Sequence, residues 1–184
     1  GVGSFFQLEG LRLVGHRLLA PGVWVHYGHD PVVRRDTRAD ISETMVEHQT
    51  SFDLQLAAGL YDQYEFGVTL PVAMLQGPGL ERLGEEGATF GDIRGVARAR
   101  LLGESAQSGL IISGHFTAPT GDPERYFGSQ GWTFSPNLAA GFNEFGVQIV
   151  ANAGFRLRTE TDTVENISLE HELTWGAGLS TELG

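Results

Sequence analysis

Seven charged residues, Asp53, Arg94, Arg98, Arg100, Arg156, Glu170 and Glu172, fall on one side of an alternating pattern of polar and apolar residues. Charges at every second position of an extended chain share one face, so the chemistry open to them is mutual ion pairing. Other chemistries find fewer supports. The six histidines (His16, His26, His29, His48, His115, His171) are scattered, and no HExxH or i,i+4 helical pair arises among them, so no metal site is expected. Ser113 and His115 share a face at i,i+2, but no third group completes a nucleophilic relay. His171 lies among apolar neighbours, between Leu169 and Leu173, as an interface residue would. The acidic stretches Asp36–Asp40 and Glu160–Glu165 lack calcium-loop spacing. With no cysteine, thiolate ligands and thiol nucleophiles are excluded. No P-loop or dinucleotide fingerprint occurs. We therefore expect no catalytic residue, no cofactor and no metal; the chain reads as a non-enzyme.

Composition narrows the partners. The 184 residues carry a formal net charge of -11 and a sequence pI near 4.8. That balance argues against nucleic acid as a partner and against capture of an anionic lipid surface by basic residues. Glycine is abundant at 26 residues while proline is scarce at 7, which is not a disorder signature. No run approaches the ~18 apolar residues of a membrane helix. The mean hydropathy of -0.10 does not settle the matter, because a β-barrel hides its apolar face by alternation. The chain opens Gly-Val-Gly-Ser without a visible leader, as a trimmed precursor also would.

The elements that must position the charges have a period close to two. Phe52, Leu54, Leu56, Ala58 and Leu60 alternate with Ser51, Asp53, Gln55 and Gly59; comparable runs begin near Leu19, Phe66, Ile93, Leu110, Trp132, Val147 and Ile167. These predict about eight strands, most as long as the ~9–11 residues a tilted strand needs to cross a bilayer. The connections alternate in length. Those at 29–46, 76–90 and 119–131 are long, those at 61–64, 103–108 and 143–144 are short, and that at 159–165 is intermediate, as in an outer-membrane meander. Aromatics gather in two belts: Tyr61, Tyr64, Phe66, Phe142 and Phe145 by the short turns, and Tyr27, Phe116, Trp132, Phe134 and Phe155 towards the long loops. Trp and Tyr rings favour the two membrane interfaces.

Several strings resemble glycine-rich outer-membrane barrels. They are Gly91-Asp92-Ile93-Arg94-Gly95-Val96-Ala97-Arg98, Ala118-Pro119-Thr120-Gly121-Asp122, Gly128–Leu138 and Asn152-Ala153-Gly154-Phe155-Arg156. The likeness covers roughly Phe5 to Gly184 and extends to two groups. One is the N-terminal barrels of outer-membrane protein A-type proteins; the other is the meta-pathway phenol-degradation transporter barrels. It implies an antiparallel, up-and-down transmembrane β-barrel, with residues 1–15 as a lead-in and 16–184 as the barrel. The chain ends Thr-Glu-Leu-Gly, without the terminal aromatic usual in this class, and carries no peptidoglycan-binding domain. We therefore expect a segment of a longer precursor.

In an eight-strand barrel the lumen holds side chains and little else. If it closes at eight, Arg94, Arg98 and Arg100 should meet Glu170 and Glu172 across it, with Asp53 and Arg156 extending a salt-bridge plug. The expected role is then structural or anchoring, with acidic loops outside. The expected partners are outer-membrane lipid, peptidoglycan through a domain outside this chain, and other envelope proteins. The rival readings are a transport barrel for small hydrophobic compounds and a soluble β-sandwich or lipocalin-like binder.

Overall fold

Residues that alternate in polarity give an extended chain two unlike faces, and such strands, eleven among the described residues, make up the computed structural model. It describes residues 11–36, 41–78, 81, 87–103, 108–123, 125, 127–144, 147–160, 162–164, 167–169 and 171–181. The long strands are β1 (Leu19–Asp36), β2 (Ile41–Leu60), β3 (Tyr64–Gln76), β5 (Ile93–Leu102), β6 (Gly109–Ala118), β7 (Thr133–Glu144), β8 (Val147–Arg158) and β11 (Glu172–Thr181). Each pairs antiparallel with the next in the order β1-β2-β3-β5-β6-β7-β8-β11. The fold is thus all-β, an up-and-down meander of eight long strands curled into a half-barrel. Short β4 (Gly87–Phe90) adds to the edge of β3, while β9 (Asp162–Val164) and β10 (Ile167–Leu169) form a separate hairpin. Among the described residues β1 and β11 do not pair, so the curl stays open along one side.

Burial runs opposite to that of a soluble protein. Phe52, Leu54, Leu56, Phe66, Val68, Ile112, Phe116, Leu138, Phe142, Ile149 and Phe155 are all exposed on the convex face, while Ser51, Glu65, Arg98, Ser113 and Asn152 are buried on the concave one. Arg98 and Glu65 retain only 8% and 5% exposure, against 81% for Trp175. A soluble monomer rarely exposes an apolar patch beyond a few hundred Å². This convex face is apolar across the whole width of the sheet.

Three expectations change. The connection 29–46 is mostly strand: β1 and β2 stay in register from Leu19↔Ala58 to His29↔His48, then resume to Asp36↔Ile41 after an irregularity. Asp30, in the left-handed region with φ 51°, makes that bulge. The run read as one strand from Ile167 is interrupted, because Ile167–Leu169 turns back on Asp162–Val164 and the long strand starts only at Glu172. Gly87–Phe90, read as loop, pairs with Val72–Leu75. In each case the cross-strand partner, not the local pattern, determines the outcome.

The short β2–β3 turn matches its chemistry. Tyr61 and Asp62 both have φ 54°, and the Gln63 amide donates to the Leu60 carbonyl at 3.2 Å. Two successive left-handed residues suit the right-handed twist of a hairpin.

Candidate functional site

The concave face is built in tiers, and strand register positions each one. Glu65 on β3 is the direct cross-strand partner of Arg98 on β5. Their side chains meet at 3.2 Å with both ends almost fully buried. Arg94 reaches diagonally over β3 to Asp53 on β2 at 2.6 Å, and His26 on β1 approaches the same carboxylate at 3.7 Å. Arg156 and Arg158 on β8 both hold Glu172 on β11, at 3.2 and 2.9 Å. The charges therefore form three local clusters, two between neighbouring strands and one reaching across β3 from β5 to β2.

Of the residues expected to plug the lumen, Arg94, Arg98 and Arg100 do not meet Glu172. They find Asp53, Glu65 and the Leu11 carbonyl instead. Neighbouring ladder positions lie ~5 Å apart, far closer than the opposite wall of a curl, so strands one or two places away supply the partners. Glu170 lies outside the described residues. Glu65 and Arg158 complete the pairs and were not among the expected seven. Glu65 was legible in principle, since it stands one step from Phe66 on the same alternation.

Two apolar clusters close the tiers at either end. Towards the short turns, Leu11 and Leu13 pack with Ile111 and Ala139. Towards the long loops, Val46, Ala73 and Leu75 pack together, with Phe127 laid against them. The loop that brings in Phe127 is tied by Asp92, whose carboxylate accepts the amides of Gly121 at 2.8 Å and Ser129 at 2.7 Å as well as the Ser129 hydroxyl.

The short-turn cluster is the less expected of the two, because residues 1–15 read as a lead-in. Val14 donates its amide to Glu65 Oε2 at 2.8 Å, and Arg98 Nη1 and Arg100 Nη2 donate to the carbonyls of Arg12 and Leu11, each at 3.1 Å. The chain then crosses the β2–β3 turn. There the His16 amide donates to Asp62 at 2.7 Å, the Tyr61 amide donates to His16 Nδ1 at 2.9 Å, and the two rings stack. Gly59 lets it pass: a Cβ there would stand 2.0 Å from the Val14 carbonyl oxygen.

Tyr27, Tyr61, Tyr64, Phe66, Phe116, Trp132, Phe134, Phe142 and Phe155 are all exposed, and Phe145 lies outside the described residues. Phe116 and Trp132 pack at 4.8 Å between ring centroids. Trp24 and Trp175 join the exposed aromatics although neither was placed in a belt. Tyr27, His29 and His48 come together at the β1–β2 pair, with the two imidazoles stacked at 5.0 Å and the Tyr27 hydroxyl 2.9 Å from His48. Among the described residues no group of three or more His, Asp or Glu is placed to hold a metal ion. No described helix is long and apolar enough to cross a membrane, which says nothing of strands.

A convex apolar face, a charged concave face and an up-and-down meander are the features a barrel family would share. No curated protein matches the chain. The family model described as "Putative MetA-pathway of phenol degradation", a family of outer-membrane barrel type, matches residues 17–184. Of the two groups the sequence resembles, only this one has that support, and the chain belongs to it.

Proposed function

We propose that this chain is an outer-membrane β-barrel of a Gram-negative envelope that admits small hydrophobic compounds of the phenolic class and performs no reaction on them. The observation that carries this reading is the inverted burial, with leucines and phenylalanines on the convex side and Glu65, Arg98 and Asn152 within the curl. An apolar solvent makes that arrangement favourable, and strands can cross a bilayer only as a barrel. Its lipid contacts are the outward strand faces, with the two aromatic belts at the interfaces. The family description supports the class of solute.

The anchoring role is the second reading. The buried Glu65–Arg98 pair and the cluster of Leu11 and Leu13 with Ile111 and Ala139 support it, since both place side chains on the concave face. Intact cells separate the two readings. N-phenylnaphthylamine is an apolar aromatic that an undamaged lipopolysaccharide leaflet excludes. Cells in which the protein fractionates with the outer membrane should take the dye up several-fold faster than cells lacking it. Uptake at the background rate favours the anchor.

A further inference from the structure

We propose that Leu11–Gly15 is a displaceable plug, and that Leu11 occupies an apolar subsite, bounded by Ile111, Ala139 and Gly141, which receives a small hydrophobic solute when the plug withdraws. The inference rests on the transport reading above and adds the place where the solute sits and the part that moves.

Its first support is the chemistry of the wall. The tiers of the concave face are ionic at Glu65–Arg98, Asp53–Arg94 and Arg156–Glu172. Towards the short turns they give way to Ile111 and Ala139, exposed to 1% and 0%. It is a side chain of the segment that covers them, and Leu11 is itself only 2% exposed. Gly141 completes the recess, since a Cβ there would fall 2.5 Å from a Leu11 methyl. The recess therefore accepts an aliphatic or aromatic group, and the Arg100 side chain, cross-strand from Ile111 and now donating to the Leu11 carbonyl, stands at its edge to meet a hydroxyl.

The second support is how the segment is held. Among the described residues it does not continue the sheet as a strand, and the ladder contact beside it is an isolated bridge from His16 to Gly59. Beyond that it hangs on backbone hydrogen bonds to three side chains, Glu65, Arg98 and Arg100. Arg98 and Glu65 also hold each other, so the segment can leave without stranding either charge. The turn at Tyr61–Asp62 anchors the far end through His16, which fixes where the segment pivots.

The test exploits a chain without cysteine. Leu13→Cys gives one thiol in the plug of the full chain, and Ala73→Cys, buried in the other apolar cluster, gives a control. Each variant, folded in detergent micelles, is labelled with a membrane-impermeant maleimide with and without phenol. The expected result is slow labelling at position 13, accelerated about tenfold by phenol as the open population grows, with no acceleration at position 73. Adding Gly59→Ala, which removes the room for the Val14 carbonyl, should give the fast rate without phenol. A rate at position 13 that phenol leaves unchanged overturns the inference. If dye uptake by cells is nevertheless present, the transport reading survives that loss; if uptake is also absent, both fail. Acceleration at both positions signals general loosening and also overturns the inference. Should Gly59→Ala fail to fold, the phenol arm decides alone.

Discussion

Glu65 and Arg98 face each other where water is scarce, and the cost of desolvating them is offset only while both are present. Removing one partner of a buried pair typically costs about 3–5 kcal/mol, whereas replacing both with apolar residues of similar volume is close to neutral. Glu65→Leu or Arg98→Met alone should therefore lower the denaturation midpoint sharply, and the double variant should recover most of the loss. Heat-modifiable migration on gels, read across a temperature series, checks this. Arg94–Asp53 is different: Arg94 is half-exposed, so Arg94→Met should cost about 1 kcal/mol or less. The charges themselves were legible in the sequence as members of one face. Their pairing was not, because register sets which carboxylate stands beside which guanidinium, and nothing local to Arg98 points to a residue 33 positions earlier.

Within a strand, neighbouring residues live in opposite surroundings. Leu54 is exposed on the convex side of β2 and Gln55 is half-buried on the concave side. Arginine facing lipid at mid-depth costs about 2–4 kcal/mol, while lumen positions tolerate charge. Leu54→Arg should thus destabilise by that amount in urea titrations with lipid vesicles, and Gln55→Arg should cost far less; equal effects would contradict the assignment of the faces. The strands themselves were plain in the sequence wherever apolar and polar residues alternate over ten positions, as in β5 or β8. The outer half of the β1–β2 hairpin was not, because Asp30-Pro31 and the charges that follow resemble a loop until a partner strand is supplied. The break before Glu172 was hidden likewise, since Ile167 and Leu169 keep the right parity for a strand they do not join.

For the molecule as a whole, periodicity could announce two-faced strands but not which face is outermost, since a sandwich with wet arginines has the same alternation. Burial decides it. Three tryptophans, Trp24, Trp132 and Trp175, lie exposed, so their emission reports on what surrounds the sheet. In vesicles whose acyl chains carry bromine, Trp175 fluorescence, isolated by replacing the other two with Phe, should be strongly quenched; emission unchanged from brominated to plain lipid would place that face in water. One consequence follows from how the first described residues are held. Gly59, Tyr61, Asp62, Glu65, Arg98, Arg100, Ile111, Ala139 and Gly141 all come later in the chain than the segment they secure. Leu11–Gly15 therefore cannot complete its contacts until β7 has arrived, so the strands from β2 to β6 are made well before the segment that fills their concave side can be seated.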